Sequence, residues 1–112
     1  MDGVMIMCGK SAHGVDRVVL FGDVTHANRA VIQDVIAWHC DGERDLEIDI
    51  MSVARIDMAG ILLLIAAKMR ASDRRRNVRI VTDNGALMRV LDGIWKLVMP
   101  RDSGNVNTFM LH

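Results

Sequence analysis

Apolar residues along this chain change period several times, and each change marks an element. Val4 to Cys8 is a short apolar run with β-branched members and reads as a buried strand. Arg17 to Phe21 reads as a second strand. Turn residues from Ser11 to Gly14 separate the two, which predicts a hairpin. Gly22-Asp23-Val24-Thr25 then breaks the strand, and the Thr25 hydroxyl is placed to cap the helix that follows. In that helix Ala27, Val31, Val35 and Trp38 recur at helical spacing and are expected to face the core. Asp41-Gly42-Glu43 closes it.

Leu46, Ile48 and Ile50 alternate with Glu47 and Asp49, the period of a strand with one polar side. A short turn containing Ser52 follows, and Asp57 is placed to cap a very apolar helix reaching about Ala71. Asn77 to Val81 reads as another strand. Asp83 or Asn84 caps a third helix, with Leu87, Val90, Leu91 and Ile94 on one face and Gly93 at its close. Trp95 to Met99 reads as a short last strand, stopped by Pro100. Strands alternating with helices after a hairpin imply an α/β fold: a mostly parallel sheet of four or five strands with three main helices. Residues 1–99 are expected to form one domain, and residues 100–112, which lack periodicity, a loose tail.

The stretch from Asp49 to Leu62, Asp-Ile-Met-Ser-Val-Ala-Arg-Ile-Asp-Met-Ala-Gly-Ile-Leu, resembles the signature of STAS domains, which include anti-sigma factor antagonists and the tails of sulfate transporters. That family shows D-L-S-x-V-x-x-I-D-S-S-G-L. Asp49, Val53, Ile56, Asp57 and Gly60 match, and Ile61 stands for the leucine. Two weaker stretches lie in matching order. Gly22 to Thr25 is similar to the family's G-x-L-D without its aspartate, and Leu87 to Leu97 is similar to V-R-R-V-L-x-x-x-G-L. The resemblance covers residues 4–99. The serine that the family phosphorylates falls on Met58, which has no hydroxyl, and Ala59 removes the neighbouring one.

A phosphate at a helix N-terminus is tolerated by the exposed amides, but it adds about two negative charges to a surface meant for a protein partner. With Met58 in that place the switch is lost and a flexible apolar contact is gained. Within the helix that Asp57 opens, Ile61, Leu64, Ile65 and Lys68 share one face, while Met58, Leu62, Ala66 and Met69 share another. A helix on a sheet buries one stripe, so the second is expected to be at least partly exposed, as partner surfaces are. The competing expectation is that Leu62 and Met69 tuck under a neighbouring helix. In the family, the start of this helix and the nearby loops dock an anti-sigma factor. The resemblance therefore implies a partner surface of Met58, Ala59, Leu62, Ala66 and Met69. Asp23, Thr25, Arg55 and Asp57 would lie beside it.

Composition removes other classes of function. Fourteen basic residues balance fourteen acidic ones, which argues against a nucleic-acid coat. Lys68, Arg70, Arg74, Arg75, Arg76 and Arg79 read as a solvated helix end, with docking to an acidic partner as the minority reading. Cys8 and Cys40 form no C-x-x-C pair and read as buried apolar groups in a reducing compartment. The start of the chain lacks a signal peptide's basic region, and Ile61 to Ala67 is too short to span a bilayer, so no membrane insertion is expected and the location is expected to be cytoplasmic. No metal motif and no glycine-rich phosphate loop appears, so no cofactor is expected. Asp57 reads as a helix cap and not as a catalytic group, and Asp49 and Glu47 have no evident base or nucleophile partner.

The expected function is therefore a non-catalytic anti-sigma factor antagonist, binding a histidine-kinase-like ATPase in a partner-switching circuit. The first alternative is a STAS scaffold subunit of a transporter or an envelope-biosynthesis complex. The second, a small enzyme or nucleotide-binding domain, has no motif to support it.

Overall fold

In a computed structural model, which describes residues 3–10, 14–40, 42, 44–99 and 109–111, the chain folds as one five-stranded sheet in the order β1-β2-β3-β4-β5. The strands are β1 (Val4–Lys10), β2 (Val15–Val24), β3 (Asp45–Ile56), β4 (Val78–Thr82) and β5 (Phe109–Leu111). β1 and β2 are antiparallel, as the expected hairpin requires, and the other pairs are parallel. The helices are α1 (Arg29–Cys40), preceded by a single 3-10 turn, α2 (Met58–Asp73) and α3 (Gly85–Val98).

The core lies between the sheet and the helices. Val18 and Leu20 of β2, Leu46, Ile48 and Ile50 of β3, and Val78 and Ile80 of β4 are buried against Ile32 and Ile36 of α1, Leu64 of α2, and Leu91 and Trp95 of α3. Strand periodicity explains the sheet's share, because alternate residues point to the helix-covered face. Asn84, and not Asp83, caps α3, accepting from the Leu87 amide at 3.1 Å.

Several elements differ from the expectation. β2 does not break at Gly22. It continues to Val24 through a bulge, with Gly22 at φ 92°, where a side chain would also strike the Gly3 carbonyl. β3 likewise runs through the expected turn, so Ser52 is a strand residue opposite Phe21. β1 is an edge strand and is not buried: Met5 and Met7 are more than half exposed, and Cys8 is exposed too. Only Cys40 is the buried thiol expected. In α1 the core-facing residues are Ile32, Ile36 and Cys40, while Val31 and Trp38 face outward and Ala27 is exposed. Two apolar stripes run along that helix, and the one with the isoleucines wins the core.

Trp95 to Met99 is not a strand. α3 continues through Gly93 to Val98 and buries Trp95, while Val90 is exposed. The final strand is instead Phe109–Leu111, parallel to β4, within the expected loose tail. Residues 100–108 and 112 of that tail lie outside the described residues, as do Ser11 to His13 of the first turn, and Asp41 and Glu43. Lys68 is not at a solvated helix end. It is buried, donates to the Val78 carbonyl at 2.6 Å and stacks on the Trp95 ring, 5.2 Å from its centre. Among the described residues no helix is long and apolar enough to cross a membrane.

Candidate functional site

The N-terminus of α2 is fixed by one carboxylate. Asp57 sits in extended backbone and its side chain accepts the Gly60 amide at 2.9 Å, satisfying a donor that the first helical turn leaves unpaired. The other carboxylate oxygen accepts the His26 amide at 3.0 Å. Thr25 occupies the cap position of the His26–Asn28 turn, but its side chain makes no capping bond. Asp57 does that work from across the fold. The His26 amide, and then the Gly60 amide, hold the Asp57 carboxyl below its ordinary range.

Gly60 is buried where α2 passes over the end of β2. A side chain there would overlap the Val24 carbonyl oxygen and crowd Ile56. The Asp57 amide also reaches that carbonyl, at 3.4 Å. The motif glycine therefore sets how close α2 lies to the sheet.

Beside this cap, Asp23 at the end of β2 is buried and pairs with Arg55 of β3 at 2.6 Å. The Arg55 hydrogen bond holds the Asp23 carboxyl low, although burial pushes the other way. The arginine side chain is 62% exposed, so the pair presents a guanidinium outward and keeps its carboxylate inside. A second pair of the same kind lies farther along the sheet: Asp49, buried, is bound by Arg17 at 2.6 Å, and Arg17 also meets Glu47 at 3.2 Å. Asp49 thus has the partner that its sequence context did not reveal. Its other oxygen accepts the Met51 amide at 2.9 Å.

The two faces of α2 separate as their spacing predicts. Ile61, Leu64, Ile65 and Lys68 are buried. Met58 is 58% exposed, Leu62 51% and Met69 36%, and Ala66 is exposed with them. Leu62 and Met69 do not tuck under a neighbour. Ala59, Leu62, Ala66 and Met69 instead form one wall of a groove of about 750 Å³ between α1 and α2. Its floor includes Leu63, Ala67, Ile36 and Cys40, and Arg29, Gln33 and Ala37 form the α1 wall. Arg70 and Asp73 stand at the end where α2 finishes.

The structure thus gathers Ala59, Leu62, Ala66 and Met69 into one groove. Met58 stands exposed at the start of α2, with Asp57 beside it, and Asp23 and Arg55 form one ion pair. The α1 wall was not foreseen from sequence. Its signal was present in the second apolar stripe of α1, whose members Ile36 and Cys40 reach the groove floor from the core side. The chemistry of this surface is that of contact: apolar side chains with a few charges at the margin.

The chain matches a protein family described as "Mlab, STAS domain" over residues 8–93. Solved structures of similar shape include the anti-sigma factor antagonist SpoIIAA in its unphosphorylated form, at 11% identity over 77% of this chain and 80% of that one, with a TM-score of 0.65. An anti-sigma factor antagonist from Mycobacterium paratuberculosis superposes with a TM-score of 0.72 at 18% identity, over 99% of this chain and 86% of that one. An uncharacterized protein with a SpoIIAA-like fold from Shewanella loihica gives 0.61 at 13% identity, over 100% and 87%. At these identities the likeness is one of fold. No curated protein matches the sequence.

Proposed function

The chain belongs to the STAS domain family, and from that premise we propose that it is a non-catalytic, cytoplasmic interaction domain that captures a histidine-kinase-like anti-sigma factor. The observation that carries this reading is the exposed apolar stripe Met58, Leu62, Ala66 and Met69, which starts at the helix terminus where the family's phosphoacceptor stands. Burying such side chains under a partner yields roughly 25 cal/mol per Å² of apolar surface, the main driving force of association. Capture works by competition: a partner held on α2 cannot hold its client. Thr25 and Arg55 would meet the partner at the rim, while Asp23, expected from sequence in the same set, is buried and acts only by holding the Arg55 guanidinium.

Methionine at residue 58 leaves the domain permanently in the form that a dephosphorylated relative adopts, so control lies in the partner or in abundance. Incubation with the partner kinase and ATP should add no phosphate at residues 58 or 59. Stoichiometric phosphate on Ser52 or Thr25, read by mass spectrometry, would overturn that claim.

The missing hydroxyl also fits a second reading, a scaffold subunit that holds a transporter ATPase or a biosynthetic enzyme on the same face. Purification of the tagged protein from its native cells distinguishes them. Recovery of a kinase-like ATPase whose binding is lost in Leu62→Asp supports partner switching. Recovery of a transporter or envelope enzyme by the same face supports the scaffold.

A further inference from the structure

The two outer edges of the sheet are protected very differently. β5, at one edge, is three residues long, and short edge strands offer little to an incoming chain. β1, at the other, is seven residues long and contains no proline. From Val4 to Gly9 it carries no charge, and Lys10 comes only at its end. Natural edge strands of this length are usually guarded by charges, proline, bulges or a covering segment. Among the described residues no strand pairs with the outer edge of β1.

The direction of its backbone groups follows from the pairing. Gly3 and Asp23 are in register with β1 and β2, and the Asp23 amide donates to the Gly3 carbonyl at 3.1 Å. In an antiparallel pair the hydrogen-bonded positions alternate. Met5, Met7 and Gly9 therefore bond β2, and the amides and carbonyls of Val4, Ile6, Cys8 and Lys10 point away from it. Water satisfies such a row in a lone molecule, and an incoming strand can take its place.

We propose that this edge joins two copies of the chain, β1 running antiparallel to β1 of the second copy about a two-fold axis. A two-fold interface requires one surface to complement itself. In the register of full overlap Val4 lies opposite Lys10, Met5 opposite Gly9, Ile6 opposite Cys8, and Met7 opposite its own copy. Each exposed Met5 side chain lies over a glycine that has none, so the bulky and the empty positions alternate across the seam. The two Lys10 ammonium groups sit at opposite ends, about 20 Å apart at strand rise, beyond the reach of strong repulsion in salt. Met5 and Met7 project from the same face as half-buried Phe21 and Val19, their register partners, so the seam closes over a continuous apolar strip. The occupant is a second copy, because in this register the strand's own bulky and empty positions complement each other. The α1–α2 groove stays free, so the inference stands apart from the reading of that groove.

Sedimentation under reducing conditions tests it with two variants, and cross-linking on mild oxidation tests it with two more. The wild type should be a dimer at concentrations that saturate a micromolar equilibrium. Cys8→Pro deletes an outward amide without removing a bond to β2, so it should weaken self-association at least about tenfold and leave thermal unfolding nearly unchanged. Should that variant unfold, Met7→Asp, at an exposed position, replaces it by setting two carboxylates together on the axis. With Cys8→Ser as background, Met7→Cys should form an intermolecular disulfide on mild oxidation. Facing Cα atoms at a non-hydrogen-bonded position lie about 4.5 Å apart, within disulfide reach. Met5→Cys in the same background faces Gly9 and should cross-link far more slowly. A monomeric wild type, a dimer that survives both Cys8→Pro and Met7→Asp, or equal cross-linking at residues 5 and 7 would overturn the proposal.

Discussion

Helices α1 and α2 both carry two apolar stripes, yet only one of them could be phased from sequence. In α2 the cap at Asp57 and the glycine at Gly60 fix where the helix starts and which side approaches β2, so the buried and exposed sets follow from a turn count. In α1 no local side chain caps the start, since the carboxylate that meets the His26 amide comes from Asp57 across the fold, and the choice of stripe falls to packing. Ile32 and Ile36 fill the space over β2 and β3, and Val31 and Trp38 are left outside. An exposed apolar stripe therefore means different things on the two helices. On α2 it is built outward from a fixed start and lines a groove. On α1 it is what the core did not take, and Trp38, although 67% exposed, is not part of that groove.

The largest expected effect removes the anchor that separates the two cases. Gly60→Val puts a side chain into the Val24 carbonyl, and the clash with backbone cannot relax by a rotamer change. It should cost about 3 kcal/mol or more of unfolding free energy, read by urea denaturation. Valine tolerated without loss would mean that α2 is not held by this contact.

Next comes the paired test of the stripes. Leu62→Asp should weaken partner binding at least tenfold, about 1.4 kcal/mol, while changing unfolding free energy by no more than about 0.5 kcal/mol. Trp38→Asp should change affinity less than about twofold. Calorimetric titration of both variants against the partner decides. Equal losses would erase the distinction between the helices, and collapse of the Leu62→Asp fold would assign that side chain to the core.

The smallest effect is on pH. Asp57, Asp23 and Asp16 all have carboxyls held below the ordinary range. For Asp16, burial raises the value, but hydrogen bonds with His39 and Arg44 outweigh it. A lowered carboxyl stabilises the fold above its unfolded value, about 4, and that contribution fades as pH falls through the folded value. Thermal midpoints should therefore drop on acidification below about pH 4. Asp57→Asn keeps a capping oxygen but removes one titration, so its acid limb should be shallower than the wild type's. An unchanged acid limb would show that Asp57 does not contribute to it.

How much the sequence revealed depended on whether the deciding contact was local. Asp57, Asn84 and the alternation of Leu46, Ile48 and Ile50 declare themselves over a few residues, so the hairpin, the sheet and the starts of α2 and α3 were readable. Gly22 was misjudged because a glycine that ends a strand and one that bulges within it look alike. Only pairing with β3 separates the two. Trp95 has strand-like neighbours, and its burial against α2 decides for helix. Phe109–Leu111 is a strand because β4 offers it an edge. The arginine partners of Asp23 and Asp49 are each thirty-two residues distant, and no spacing rule reaches that far. The α2 wall of the groove follows a helical period and was legible. The α1 wall depended on the packing of two helices and was not.

Asp57 holds the His26 amide ahead of α1 and the Gly60 amide within α2, so one carboxylate ties together the starts of both walls of the groove. The spacing there is set when the chain folds and not when a partner arrives. A preorganised surface loses little conformational freedom on docking, and encounter rates vary little among variants of one interface. Changes to the apolar stripe should therefore appear in how long a complex lasts. Cutting this shared tie should also slow its formation, because each partner would then have to wait for the opening to take its width.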